Sequence, residues 1–127
     1  MLKSFKVQRP RQLSEVLKYE VDPNYSRDTG TALAGEAFEL GQVVSKVTAT
    51  GKLVVFDPAV VDGSEKIVGV ALNEVEAGAA DVEGVPYSAR ISTLSASGLR
   101  WPAGLSAPQL AAGLAQLAAL GLVVRDY

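Results

Sequence analysis

Between Thr31 and Arg90 the apolar positions recur two apart or in short runs, the spacing of strands rather than helices. Leu33 leads towards Phe38 and Leu40, and Val43-Val44-Ser45-Lys46-Val47 follows. Thr48-Ala49-Thr50-Gly51 has the composition of a tight turn, so Lys52-Leu53-Val54-Val55-Phe56 is predicted to return antiparallel. Asp57-Pro58 and Asp62-Gly63 frame a loop. A valine-rich strand is predicted over 67–75, with a bulge or a close backbone approach at Gly69. Residues 76–84 read as a loop and 85–91 as another strand, with Pro86 placing its start, or a sheet edge, there. Residues 92–104 show no period and are expected to be irregular. The period then becomes helical. Ser106 and Gln109 have capping-box spacing, Pro108 falls in the first turn, and Leu110, Leu114, Leu117 and Leu120 follow as an expected core stripe, with a partner-binding face as the alternative. A charge at Leu114 is accordingly expected to unfold the domain. Gly121 closes the helix, and Leu122-Val123-Val124-Arg125 reads as a last strand.

The order strand-strand-strand-strand-helix-strand lacks βαβ alternation. It predicts an α+β fold: a small, mainly antiparallel β domain with one C-terminal helix and a final strand. Residues 1–30 are expected to be a flexible N-terminal arm on a compact domain of residues 31–127. Arg9-Pro10-Arg11, Asp22-Pro23-Asn24 and Arg27-Asp28-Thr29-Gly30 are turn formers, so the segment reads equally as a solvated leader or as a binding arm that orders on a partner, with Leu13, Val16 and Leu17 able to form one helical turn on docking. Lys3, Lys6, Arg9, Arg11 and Lys18 outweigh Glu15 and Glu20 there, whereas the remainder is acidic and the whole chain has a net charge of −2.

Composition narrows the chemistry. The sequence has no histidine and no cysteine, which removes the usual general base, the thiol nucleophile, disulfides, and imidazole or thiolate metal sites. Asp57, Asp62 and Glu65 superficially resemble a calcium loop, but Val60 and Val61 occupy positions that need oxygen ligands, and a surface turn is the better reading. Glu74, Glu76, Asp81 and Glu83 lie around a Gly/Ala loop expected to be wet. No glycine motif matches a phosphate cradle. Neither catalysis nor a cofactor or metal is expected, and the net charge argues against a nucleic-acid partner. The first residues lack the apolar run of an export signal. The longest apolar stretch, 110–124, is interrupted by Gln116 and two glycines and is shorter than the roughly 20 residues a spanning helix needs, so no membrane partner is expected. Trp101, the only tryptophan, reads as a core anchor or as an interface residue.

Three stretches taken together resemble the bacteriophage head decoration family. They are Tyr25-Ser26-Arg27-Asp28 with Leu40-Gly41-Gln42-Val43; Val47–Val54 with Phe56-Asp57-Pro58, Asp62-Gly63-Ser64 and Val68-Gly69-Val70-Ala71-Leu72; and Leu99-Arg100-Trp101-Pro102-Ala103-Gly104-Leu105 with the Ala/Leu helix and Leu120–Arg125. The resemblance covers about residues 25–125, in order. It implies a cement protein that sits as a homotrimer on the outer surface of the virion capsid, having been made in the host cytoplasm. Such a protein clamps neighbouring major capsid proteins once the shell has expanded, and its N-terminal arm adds a strand to a capsid-protein loop. On that reading Leu13, Val16, Leu17, Tyr19 and Tyr25 are candidate capsid-binding residues of the arm, and Trp101 and Pro102 are candidates for the subunit interface. The competing expectation is a receptor- or glycan-binding module of a phage fibre, although such modules usually display more exposed aromatics than one tryptophan and four tyrosines.

Overall fold

A computed structural model describes residues 11–127. Its strands are β1 (Leu17–Glu20), β2 (Arg27–Ala32), β3 (Ala37–Phe38), β4 (Val43–Lys46), β5 (Leu53–Val55), β6 (Ile67–Ala71), β7 (Val75–Glu76), β8 (Val82–Ser88), β9 (Ser92–Ser95) and β10 (Leu122–Arg125). A one-turn helix, α1 (Pro23–Ser26), precedes β2, and the main helix, α2 (Ala107–Ala119), precedes β10. This is the expected α+β fold.

The predicted hairpin is present. β4 pairs antiparallel with β5, Val44 opposite Val55 and Lys46 opposite Leu53. Gly51 takes φ +69° at the turn, a conformation that costs glycine little. β2, β5, β4, β6 and β8 close into a barrel in that order. Its seams are antiparallel except for a single parallel bridge, Ala32 opposite Leu53. Alternate residues serve two cores. Val44, Leu53, Ala71, Val85 and Tyr87 pack with Phe38 in one cluster. Val43, Phe56, Ile67 and Val70 pack with Val16, Leu94, Leu99, Leu117 and Leu122 in the other. Burial on both faces is why these strands read as runs of valine rather than as clean alternation. Gly69 is a close approach, as expected: a Cβ there would lie 2.2 Å from the Ser88 carbonyl oxygen. The β4–β6 register slips beside it. Pro86 neither starts nor edges its sheet. β8 begins at Val82 and lies between β2 and β6, and the Pro86 carbonyl accepts from Leu72 N–H just past the end of β6.

β9 corrects the expectation of an irregular segment after Ile91. It is the centre of a three-stranded sheet, antiparallel to β1 and parallel to β10. Buried serines hide it in the sequence: Ser92 Oγ donates to the Arg90 carbonyl at 3.1 Å, and the Ser95 and Ser97 hydroxyls lie 3.0 Å apart.

The boundary at residue 30 also moves. Val16 is fully buried, with Leu13 and Leu17 packed against the same cluster, and β2 is a barrel strand that a cut at Gly30 would split. The turn formers between them build α1. Asp22 caps it by accepting from Asn24 N–H at 2.8 Å, and the Ser26 carbonyl accepts from the N–H groups of Ala89 and Arg90. Residues 11–30 therefore belong to the folded body; residues 1–10 of the expected arm lie outside the described residues.

The capping box of α2 is reciprocal, Gln109 N–H donating to Ser106 Oγ and Ser106 N–H to Gln109 Oε1. The leucine stripe is only partly core. Leu117 is buried and Leu120 packs against the cluster, but Leu110 and Leu114 are 37% and 38% exposed. The inward track is instead Gly113, Gln116 and Leu117. Trp101 lies so close to Gly113 that a Cβ there would meet its ring at 2.6 Å. Gln116 Oε1 accepts from Ile67 N–H at 2.8 Å, and its Nε2 donates to the Glu65 carbonyl. Small and amide side chains thus let α2 approach β6 closely and turn two leucines outwards. A charge at Leu114 has no buried site to disrupt.

Candidate functional site

Arg11 is the first described residue and is anchored on the body. Its guanidinium donates to the Gly98 carbonyl at 2.6 Å and to the Leu40 carbonyl. A 3-10 turn at Leu13–Glu15 follows, and then β1, which among the described residues is an edge strand. On β1, Tyr19 stands opposite Thr93, and Thr93 opposite Val123 of β10, so the three share one face of the sheet. Tyr19 and Val123 are exposed there, and the Lys18 ammonium lies 5.2 Å from the centre of the Tyr127 ring.

The segment after β1 is tied down by ions. Arg27 binds Glu20 through both carboxylate oxygens, at 3.0 and 2.7 Å, and this hydrogen bonding raises the guanidinium pKa above its ordinary value. Arg90 reaches the Asp28 carboxylate at 2.5 Å, donates to the Tyr25 carbonyl, and stacks 5.4 Å from the centre of the Tyr25 ring. Ser26 Oγ donates to the Ile91 carbonyl, and Val21 N–H donates to the same oxygen. Ile91 itself has φ +46°, strained for a β-branched residue, and its side chain sits against Gly121. Tyr19, Val21, Tyr25 and Ile91 are consequently displayed from a tethered backbone.

The candidate residues therefore separate. Val16 has no surface to offer a partner, Leu13 and Leu17 are half-buried core residues, and Tyr19 and Tyr25 are exposed. Trp101 packs edge-on to Phe56 at 6.2 Å and over Gly113, as an anchor between barrel and helix; it and Pro102 are each half-buried. The ion pairs that hold the Tyr25 segment were missed, because Asp28 and Arg90 are distant in sequence and nothing in either local pattern marks them as partners.

The loop carboxylates serve the backbone. Asp57 accepts from Ala59 N–H, Asp62 from Ser64 N–H, and Glu65 from Gly63 N–H, at 2.9–3.0 Å. The bonds from Ser64 hold the Asp62 carboxyl below its ordinary pKa. This is the surface turn expected at 57–65. Asp81 likewise accepts from Ala34 N–H and pairs with Lys52 at 2.6 Å, and Lys52 is the main cause of its lowered pKa. No group of three or more metal-ligating side chains occurs among the described residues, and none of their helices is long and apolar enough to cross a membrane.

A family model described as bacteriophage lambda head decoration protein D matches residues 6–122, nearly the whole chain. The chain belongs to this family. Decoration proteins of this kind are structural components of the phage head rather than a known class of enzyme, so the capsid is the partner and the virion the location. The matched span runs from ahead of Arg11 to the first residue of β10 and takes in both core clusters. No curated protein matches the decoration chain closely.

Proposed function

We propose that this decoration protein is a cement protein. It binds the outer surface of an expanded phage head as a trimer, bridges neighbouring major capsid proteins and stabilises the shell, without catalysis or nucleic-acid binding. The observation that carries this reading is the placement of β1: an edge strand among the described residues, directly after the Arg11 anchor, with Tyr19 and Val21 exposed beside it. An edge strand presents unpaired N–H and C=O groups that an extended segment can complete. Such strand addition draws affinity from main-chain hydrogen bonds and selectivity from alternate side chains. Lys3, Lys6 and Arg9 lie just upstream and speed encounter with an acidic surface. Three such attachments on one trimer gain by avidity.

The test is co-sedimentation with expanded capsids of the source phage, comparing the full chain with one lacking residues 1–10. The deletion is expected to raise the half-saturating concentration at least tenfold, equivalent to about 1.4 kcal/mol or more, and Tyr19→Ala with Tyr25→Ala to raise it further. Equal saturation would show that the N-terminal segment is not the anchor. A full chain that ignores capsids but binds a sugar array would instead support a receptor-binding module.

A further inference from the structure

Residues 101–124 carry no charged side chain, although Asp, Glu, Lys and Arg make up 20% of the sequence. The stretch includes all of α2, and much of α2 is exposed. A helix with one face on a core ordinarily carries charged and polar groups on the other. Here that face presents Leu110 and Leu114 among exposed alanines. Beside it, Ala96, Leu114, Ala118, Leu122, Val123 and Val124 line an apolar groove of about 500 Å³, with Asp126 as the one charged residue of its lining.

We propose that the outer face of α2 and this groove are the surface through which copies of the chain meet, Leu110 and Leu114 of one copy seating in the groove of the next. The inference rests on the trimer reading above and names the face that makes it. A second copy is the occupant because of charge. Copies related by a rotation axis bring identical residues towards one another near that axis, so a charge on the shared surface meets its like. Like-charge juxtaposition across an interface is costly, and a charge-free stretch avoids it. An acidic or basic partner would call for the opposite charge here, and the helix has none. The protruding leucines and the groove also lie on one face, so a single surface supplies both halves of the contact.

The sequence contains no cysteine, so Leu114→Cys introduces a unique thiol. Ala79→Cys, in an exposed loop between β7 and β8, is the control. Each is treated with a short bis-maleimide, both as concentrated free protein and on decorated capsids. Cross-linked pairs are expected from Leu114→Cys in at least one state and from Ala79→Cys in neither. Leu114→Glu is expected to keep the parent circular dichroism and to weaken self-association about 30-fold or more in sedimentation equilibrium or on the shell. Absence of 114–114 cross-links in both states overturns the proposal, as does a folded Leu114→Glu protein that associates like the parent. Should Leu114→Glu misfold, the cysteine result decides alone. Cross-linking through residue 114 without capsid binding would sink the cement reading only; capsid binding without it would sink this inference only.

Discussion

Removing residues 1–24 tests whether the N-terminal segment belongs to the fold. The deletion takes away β1, the buried Val16 and the half-buried Leu13 and Leu17. Fully burying one such side chain contributes about 1.5–3 kcal/mol, so one full and two partial burials amount to about 3–6 kcal/mol. The ladder with β9 adds about 0.5–1.5 kcal/mol for each hydrogen bond lost. Arg27 also loses its Glu20 partner, and β9 is left without its neighbour over Leu94. A domain is stable by only about 5–15 kcal/mol, so the truncated chain is expected to be largely unfolded at 25 °C. Val16→Ala is the milder version. It deletes two methyl groups and leaves a cavity, at a cost of about 2–3 kcal/mol. At about 3–5 °C per kcal/mol for a chain of this length, its melting temperature should fall by about 6–15 °C. Differential scanning calorimetry reads both, with Tyr19→Ala as the exposed control that should melt with the parent. A truncated chain that melts like the parent, together with an indifferent Val16→Ala, would refute this reasoning and restore a separate arm.

Glu36 offers a pH test. Burial raises its carboxyl above the ordinary 4.5, against a weaker opposing hydrogen bond from Val55 N–H. The unfolded chain therefore releases this proton first, and stability falls as pH rises from the unfolded towards the folded pKa. Glu36→Gln should melt above the parent at pH 7, with the gain disappearing below pH 4.5; a gain that persists in acid would point to another cause. Gly69→Ala should destabilise by about 3 kcal/mol, because its Cβ collides with the Ser88 carbonyl. Gly78→Ala, with nothing within 4 Å of the added carbon, should leave a denaturant midpoint nearly unchanged; equal effects at the two sites would discredit the close approach.

The legible parts of the fold were those specified locally. The β4–β5 hairpin and the α2 capping box each depend on residues close together in sequence, and the Gly69 approach, although made to Ser88, is marked by the glycine itself. What was illegible depended on partners far along the chain. β2 reads as turn formers because Asp28 and Arg27 are satisfied by Arg90 and Glu20, and β9 reads as loop because its serines are bonded locally while its flanks are covered. The helix period located α2 correctly and oriented it only in part, since Leu117 and Leu120 meet the core but Leu110 and Leu114 do not. Leucine spacing cannot reveal that Trp101 lies over Gly113, or that Gln116 replaces a leucine as the contact to Ile67. For the candidate site, sequence singled out Tyr19 and Tyr25, which are exposed, but grouped them with Val16, which is not.

The two surfaces assigned to partners share one foundation. β1 rests on the cluster through Leu17 and the preceding Val16, α2 through Leu117 and β10 through Leu122, and the same cluster reaches the barrel through Val43, Ile67 and Val70. The barrel interior has its own separate set of side chains. Both proposed contact elements can therefore be exposed without weakening the barrel, whose closed ring leaves no open edge of its own. Among the described residues the edge strands β1 and β10 flank β9, and Tyr19 and Val123 are exposed on one face across it. In this arrangement the barrel supplies the stable body, and one apolar layer fixes the strand proposed to face the capsid and the helix proposed for self-association relative to each other. Val16, Leu94 and Leu117 belong to that one packed cluster, so on the two proposals above a load applied at β1 would reach α2 through close-packed side chains rather than through a flexible linker.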